Sequence, residues 1–362
     1  MDKLSKARQE INRIDKEMAE LFCQRMEAVK TVAEYKKERG LPILDSTREE
    51  EVIKNNSAFV KDEEIRAYYI NFLRNNMAIS RNFQNKLNSG IRVAFAGVQG
   101  AFAQVAAKKI FDCCQAVPYD SFKNAYDAAV NGECDCVLLP IENSYNGDVG
   151  QVMDIAFFGS LYVSGVYDIG ITHHLVAKKG ADIKNIKEVI SHSQALGQCE
   201  GFIKKHGFIT TESTNTAVAA QWVSKSDRGD IAAIASEEAA RIYGLEIIES
   251  CINDSNSNTT RFAVFSPVKK NESLKDKQFI MLFTVKNESG CLGKALSVIG
   301  ENGFNLRALK SRPTKELIWD YYFYAEGEGN INSPEGEKML KALEPLCSHI
   351  KILGSFEKEI SL

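Results

Sequence analysis

Arg25 and Lys36 stand eleven positions apart in a stretch with neither proline nor glycine before Gly40. At 100° per residue that spacing brings both cations to within about 20° of one helix face and sets them roughly 16 Å apart along the axis. Two long side chains bent toward each other leave a gap the size of a small dianion, floored by Ala28, Val29 and Val32. Arg8 lies roughly 25 Å from Arg25 along the same axis and about 100° around it. It can reach such a gap only from a second chain. Ser80 and Gln84, an i, i+4 pair, face one way on a later helix. An exposed charged stripe on a bundle explains the same spacing equally well, so geometry alone leaves both readings open.

A second concentration of chemistry is the polar run DSNSNTT at 254–260, followed by RFAVF. Such a run either links two strands in solvent or forms a rim of hydroxyls and amides over a ligand. Similar polar clusters recur where apolar runs end: Glu142-Asn143-Ser144 after VLLPI, Ser191-His192-Ser193 after EVI, and Glu212-Ser213-Thr214 after FIT. In α/β sheets, ligands bind outside the carboxyl ends of strands.

Three periodicities supply the elements that would position these groups. Residues 4–36 carry Leu4, Ile11, Ile14, Met18, Leu21, Val29 and Val32 at helical spacing, which predicts one long helix. Ser46-x-x-Glu49 resembles a capping box that opens a second helix, and Ile65, Tyr69, Phe72, Asn76, Ile79 and Phe83 form the stripe of a third over 62–87. From about residue 90, short β-rich runs (IRVAFA, CVLLPI, EVISH, DIAAIA) alternate with helical stretches at 101–111, 121–131, 194–205, 215–225 and 236–243. That alternation predicts parallel sheets covered by helices. The stretch LYVSGVYDIGITHHLVAKK reads as strands connecting two α/β lobes around a cleft. After the linker KKNESLKDK the order is strand (FIMLFTV), helix (291–301), strand (FNLRALKS), strand (IWDYYFYAE), helix (335–345), strand (HIKILGSF), the βαββαβ order of a ferredoxin-like fold. The expected fold class is multidomain: all-α over 1–89, two-lobed α/β of periplasmic-binding-protein type over 90–268, and α+β over 277–362.

Composition excludes several function classes. The 45 basic and 48 acidic residues are mixed along the chain, with no basic stripe to follow a phosphate backbone, so nucleic acid is not an expected partner. No apolar run approaches membrane-spanning length and the charged start lacks a signal peptide's apolar core, which points to the cytoplasm and away from membranes. Nine scattered cysteines suit reduced thiols, and neither Cys134-Asp-Cys136 nor His173-His174 has the spacing of a metal site. GVQGAF at 97–102 fits neither the dinucleotide motif nor the P-loop, so no cofactor is expected.

The first segment, ARQEINRIDKEMAELFCQRMEAVKTVAEYK with LPILDSTREEE and ISRNFQ, resembles the all-helical chorismate mutases over nearly all of 1–88. The resemblance implies Arg8 of a partner chain, Arg25 and Lys36 as ligands of carboxylate and ether oxygen, and Asp45, Arg48, Glu49, Ser80 and Gln84 around them. A pericyclic rearrangement of chorismate needs no proton transfer. It needs a held conformer and stabilised charge on the ether oxygen, a task that suits Lys36 and Gln84.

In the second segment GVQGAF, PIENSYNG, SHSQALGQC and TTRF resemble prephenate dehydratase, supported by ESTNTAVAA and AAIASEEAARIYGL. This implies a cleft lined by Asn143, Ser191, Gln198 and Thr260, with Glu142, Ser144 and Arg261 beside them and Thr260 donating to the departing hydroxyl; because a threonine alone is a weak acid, Glu142 or a water relay is the alternative donor. As prephenate loses water and carbon dioxide its ring carboxylate becomes neutral, so a strong cationic clamp there would stabilise the ground state and slow the step. Val98, Ala101, Ala103 and Ser193 depart from the usual signatures. The last segment resembles an ACT domain through GCLGKAL and KSRP, which implies phenylalanine as effector at Gly290, Cys291, Leu292, Ser311, Arg312 and Pro313; Lys310 stands where that family has glutamate. Together the resemblances imply a homodimeric or larger bifunctional enzyme of phenylalanine biosynthesis, taking chorismate through prephenate to phenylpyruvate under feedback control. The rival readings are isochorismate-pyruvate lyase chemistry for the helices, arogenate as the middle segment's substrate, and a non-catalytic ligand-sensing pair of lobes.

Overall fold

The computed structural model describes residues 2–145, 147–255, 257–269, 273, 275–314 and 321–362, with Ser89 described in its backbone alone. Ile318–Asp320 of the expected strand IWDYYFYAE, Lys270–Glu272 and Leu274 of the linker, and Asn256 of the polar run lie outside the described residues. The chain divides into two compact units. The first holds the helical segment through Arg92 with two short stretches, Cys113–Gln115 and Gly132–Asp135, and the second holds the rest.

Helix α1 (Lys3–Glu38) is one uninterrupted helix, as its period predicts, followed by α2 (Ser46–Ser57) and α3 (Glu63–Ser89). The expected capping box at Ser46 is displaced by one residue. Asp45 is the N-cap, its carboxylate accepting from the Arg48 amide at 3.0 Å, because a charged acceptor at a helix amino terminus outcompetes a hydroxyl already inside the first turn. Glu49 is thereby free of capping. The predicted stripe of α3 also shifts: Leu73, Met77, Ser80 and Gln84 are its buried face, whereas Ile65, Phe72 and Ile79 stay exposed. Leu4, Ile11, Ile14, Met18 and Leu21 of α1 are exposed as well, so one copy of the chain leaves two apolar helix faces uncovered.

The second unit begins with β1 (Arg92–Ala96), α4 (Phe102–Ile110), β2 (Gln115–Tyr119), α5 (Phe122–Val130), β3 (Cys136–Asn143), β4 (Gly147–Asp148) and α6 (Gly150–Phe158). Strand β5 (Tyr162–Gly170) closes the first lobe, and β6 (His174–Ala177) opens the second. There follow β7 (Glu188–Ser191), α7 (Ser193–Gln198), α8 (Glu200–His206), β8 (Ile209–Glu212), α9 (Thr216–Lys225), β9 (Ile231–Ala235), α10 (Glu237–Tyr243) and β10 (Glu246–Glu249). Strand β11 (Thr259–Ser266) then returns to the first lobe. The sheets have the orders β5-β11-β3-β1-β2, with β4 on β3 and one further strand from the chain end on β5, and β10-β6-β9-β7-β8.

The expectation of parallel sheets is correct for β1 with β3 and for β7 with β8 and β9, and wrong for the strands that join the lobes. Strand β11 runs antiparallel between β3 and β5, β6 antiparallel to β9, and β10 antiparallel to β6. A chain that leaves one lobe and returns from the other re-enters the first sheet from the opposite end, which reverses its direction. The lobes also touch through Gly100, whose φ of +87° and approach to Ala239, within 2.9 Å of a built Cβ, admit no side chain.

The ferredoxin-like segment forms as read: β12 (Gln278–Val285), α11 (Cys291–Glu301), β13 (Asn305–Pro313), β14 (Tyr321–Glu328), α12 (Pro334–Leu343) and β15 (Cys347–Phe356), in sheet order β13-β14-β12-β15. Its helices cover one face over Phe279, Met281, Phe283, Ile299 and Met339. The chain end, β16 (Ile360–Ser361), leaves it to pair with β5 in the first lobe. Three polar attachments hold its other face to α6: Arg312 forks onto Asp154 at 2.7 and 3.0 Å, the Tyr322 hydroxyl donates to the same carboxylate, and Lys351 donates to the Ala156 and Gly159 carbonyls.

Candidate active sites

In the helical unit a cavity of about 190 Å³ is lined by Arg25, Lys36, Asp45, Arg48, Glu49, Ser80 and Gln84, together with Val29, Val32 and Arg81. Of the expected residues only Arg8 and Ala28, both exposed, are not in the lining; the rest are brought together because α1, α2 and the buried face of α3 converge. Arg8 is exposed on the uncovered half of α1. Arg25 donates to the Ser80 hydroxyl, which donates to the Asn76 carbonyl at 2.8 Å, while partial burial pulls the guanidinium below its ordinary value. Lys36 donates to the Ile43 carbonyl at 2.6 Å. Glu49 pairs with Arg81, a cation that no spacing argument singles out. Gln84 is buried, and its Oε1 has no hydrogen-bond partner. A buried amide left short of one partner has capacity for a ligand.

Between the lobes lies a cleft of about 480 Å³. Asn143, Gln198 and Thr260 line it, as expected. Their hydrogen bonds form a chain whose direction is fixed at one end. The Tyr145 backbone N–H can only donate, and it donates to Asn143 Oδ1 at 3.0 Å. Asn143 Nδ2 therefore faces Thr260 Oγ1 at 2.8 Å and Asn258 Oδ1 at 3.2 Å. Asn258 Nδ2 in turn donates to Gln198 Oε1 at 2.7 Å, and His173 Nε2 meets the same oxygen at 2.9 Å. An oxygen has no proton to give, so His173 carries its proton on Nε2. Two consequences follow: the Thr260 hydroxyl accepts from Asn143 and keeps its own proton free to donate, and Gln198 Nε2 is left as a donor.

Four expected residues are placed elsewhere. Ser191 is fully buried and donates to the Ile234 carbonyl at 2.6 Å, tying β7 to β9. Ser144 bonds to the Ser257 carbonyl and the Thr259 amide, closing the polar loop onto β3. Arg261 and Glu142 lie on the other face of the sheet, because neighbours of Thr260 and Asn143 along a strand point the opposite way. There Arg261 meets Glu142 at 2.8 Å, Glu326 at 3.0 Å, Asp168 at 3.6 Å and Glu359. Burial alone would depress the Arg261 guanidinium, but this ring of carboxylates holds it above its ordinary value.

Among the ferredoxin-like residues, Gly290 (φ +82°) is the N-cap of α11 and makes no side-chain cap, with Cys291 and Leu292 in the first turn. Ser311 and Pro313 are exposed. Arg312 is engaged by Asp154 and is not open to a ligand.

Residues 93–270 match the family model described as prephenate dehydratase, and residues 7–85 the model for chorismate mutase type II. A bifunctional chorismate mutase/prephenate dehydratase of Aquifex aeolicus is 31% identical over 99% of both chains. The chain belongs to the bifunctional chorismate mutase/prephenate dehydratase family. An arogenate dehydratase/prephenate dehydratase of Arabidopsis thaliana is 33% identical over 76% of this chain and 74% of its own. The crystal structure of a prephenate dehydratase from Arthrobacter aurescens in complex with L-Phe superimposes with a TM-score of 0.69, at 26% identity, over 74% of this chain and 90% of that one. The helical unit thus carries the mutase and the two lobes the dehydratase, consecutive steps of phenylalanine biosynthesis.

The cleft between the lobes is lined mainly by neutral groups. Among the described residues that line it there is no lysine or arginine, and the single acidic residue, Asp148, stands opposite Glu142 in the β3–β4 pair with its carboxylate on Lys310. Helices α4 and α6 begin there at Ala101 and Val149 with no side-chain cap, so first-turn amides and helix dipoles supply the positive potential. Ala101, the N-cap residue of α4, has no side-chain oxygen to accept a first-turn amide. Asn258 and His173 belong to the site without having been expected there. Asn258 lies in the polar run, but nothing in that run separates it from its neighbours.

Burial at 2% exposure, with His174 nearby, pushes the His173 imidazole below its ordinary value of 6.5, against the contrary pull of Gln198. At pH above that value the imidazole is neutral in folded and unfolded chain alike, and no stability is lost. As pH falls below it the unfolded chain takes up a proton that the folded one resists, so the dehydratase unit loses stability down to the depressed folded value. Urea melts between about pH 7.5 and pH 5.5 should show this decline, and His173→Gln should flatten it. An unchanged slope in that variant would show that His173 does not titrate as its burial requires.

Proposed function

We infer that the helical cavity is the site of the chorismate rearrangement and the cleft the site of prephenate dehydration. The observation that carries the first is the convergence of Arg25, Lys36, Asp45, Arg48, Glu49, Ser80 and Gln84 on one small cavity. Arg25 and Arg48 suit the substrate carboxylates, and Lys36 with Gln84 suits the ether oxygen, on which negative charge grows as its bond breaks. Arg8 completes the site from a second copy, whose exposed α1 and α3 faces would cover those of the first. In the cleft, Thr260 donates to the departing hydroxyl while the ring carboxylate leaves as carbon dioxide. One proton taken up balances the water released. A lining without lysine or arginine suits a carboxylate that must lose its charge.

The ferredoxin-like module is the regulatory, ACT-type domain, with phenylalanine as effector. Its support is the uncapped α11 amino terminus at Gly290, suited to an amino-acid carboxylate, and the L-Phe complex of the Arthrobacter relative. Calorimetry with phenylalanine should show binding that lowers dehydratase turnover; no heat at millimolar phenylalanine would remove the regulatory role.

Arg8→Ala and Arg25→Ala should each lower mutase turnover by about a hundredfold or more, with dehydration of supplied prephenate intact. Mixing the two variants should restore part of the mutase activity, since one site of each mixed dimer is whole. Mixed dimers that form and stay inactive would contradict the shared site.

A further inference from the structure

The polar run that precedes β11 is tied to Gln198 twice. The Asp254 amide donates to the Gln198 backbone carbonyl at 2.8 Å, and Asn258 Nδ2 donates to the side-chain Oε1 at 2.7 Å. Gln198 ends α7 in the second lobe, whereas Asn258 Oδ1 accepts from Asn143 of the first lobe at 3.2 Å. One buried side-chain amide thus joins the two sides of the cleft. Its backbone is fixed as well, the Asn258 carbonyl accepting from the Ile171 amide at 2.8 Å.

Gln198 Oε1 takes a second donor, His173 Nε2 at 2.9 Å, which fills both of its lone-pair sites. Turning the Gln198 amide over would set its NH2 group against two donors, so the clamp holds Oε1 in place and leaves Nε2 for the cleft. An aspartate at position 258 would invert this arrangement. It would still accept from Asn143, but it would offer Gln198 an oxygen, and the amide would turn to give it Nε2. His173 Nε2 would then face an N–H and become an acceptor, with the ring proton moved to Nδ1, an atom that is buried and has no hydrogen-bond partner. We propose that Asn258 is a positioning residue for the dehydration: together with His173 it holds Gln198 as a donor toward the substrate's oxygens, and it keeps the His173 proton on Nε2.

This inference rests on the dehydratase reading of the cleft, and a readout without substrate keeps the two apart. Nitrogen-15 NMR of histidine-labelled protein at about pH 8, above the ordinary histidine value, should show the His173 proton on Nε2, the signals being assigned by their loss in His173→Gln. Asn258→Asp should move that proton to Nδ1. With prephenate, Asn258→Asp should lower kcat/KM by about tenfold or more. In a Gln198→Met background it should cost no more than about twofold further, because its effect passes through Gln198. A charge that only repels the substrate predicts otherwise: a proton that stays on Nε2, losses that add in the double variant, and recovery at about 0.5 M salt. A role confined to holding the loop predicts a lower urea midpoint with the tautomer unmoved. Either result overturns the role of Asn258. Should the aspartate variant fail to fold, Asn258→Ala takes its place: kcat/KM should fall by a similar factor with mutase activity intact, and unaltered turnover would overturn the proposal. Failure of the unaltered protein to consume prephenate, with the tautomer moving as expected, would overturn the dehydratase reading and leave the clamp standing.

Discussion

The register of β11 against β3 is the constraint on which the dehydratase half of the molecule depends. Thr260 stands opposite Asn143 and Arg261 opposite Glu142, so one pair faces the cleft and the next faces the ferredoxin-like module. A slip of one residue would exchange the faces, burying a guanidinium among cleft amides and taking the hydroxyl out of the site. The ion cluster resists that slip. Arg261 is surrounded by Glu142, Glu326 and Glu359, and removing a charge from such partners leaves the others buried and unpaired. Two of its carboxylates come from the ferredoxin-like module and the chain end, so that module helps to hold the strand that carries Thr260.

The same register gives the cleft its chemistry. One backbone N–H, that of Tyr145, orients Asn143, and through it Asn258, Gln198 and the tautomer of His173. The result is a set of neutral donors aimed into the cleft by other hydrogen bonds. The cavity proposed for the mutase step is the opposite, small and lined by cations, which suits a substrate that keeps both carboxylates throughout the rearrangement. On that proposal, the difference in charge between the two sites follows the fate of a carboxylate.

Much of this is legible in the sequence, and the reasons for the rest are physical. The period of α1 fixes its length and one face, so the spacing of Arg25 and Lys36 is enough to place them together. The capping box at Ser46 fails by one residue because Asp45 offers the stronger acceptor. The expected stripe on α3 fails because hydrophobicity marks a face that is to be covered, and cannot say whether the cover lies in the same chain. Strand alternation is enough to tell that Arg261 and Thr260 point apart. Which of them faces the cleft depends on a third layer, the module more than sixty residues further on that supplies Glu326. The Glu142 partner of Lys310 lies 168 residues away in the chain, beyond the reach of any local pattern.

The central claim is that the β11 register presents a hydroxyl whose own proton is free to be donated. Kinetics of Thr260→Val beside Thr260→Ser test it most directly, with mutase activity in the same protein as the control for folding. The account predicts that valine lowers dehydratase kcat by about a hundredfold or more with little change in KM, and that serine, which keeps the Asn143 contact and the proton, retains most of the turnover. Near-normal turnover in the valine variant, or equal loss in both, would contradict it.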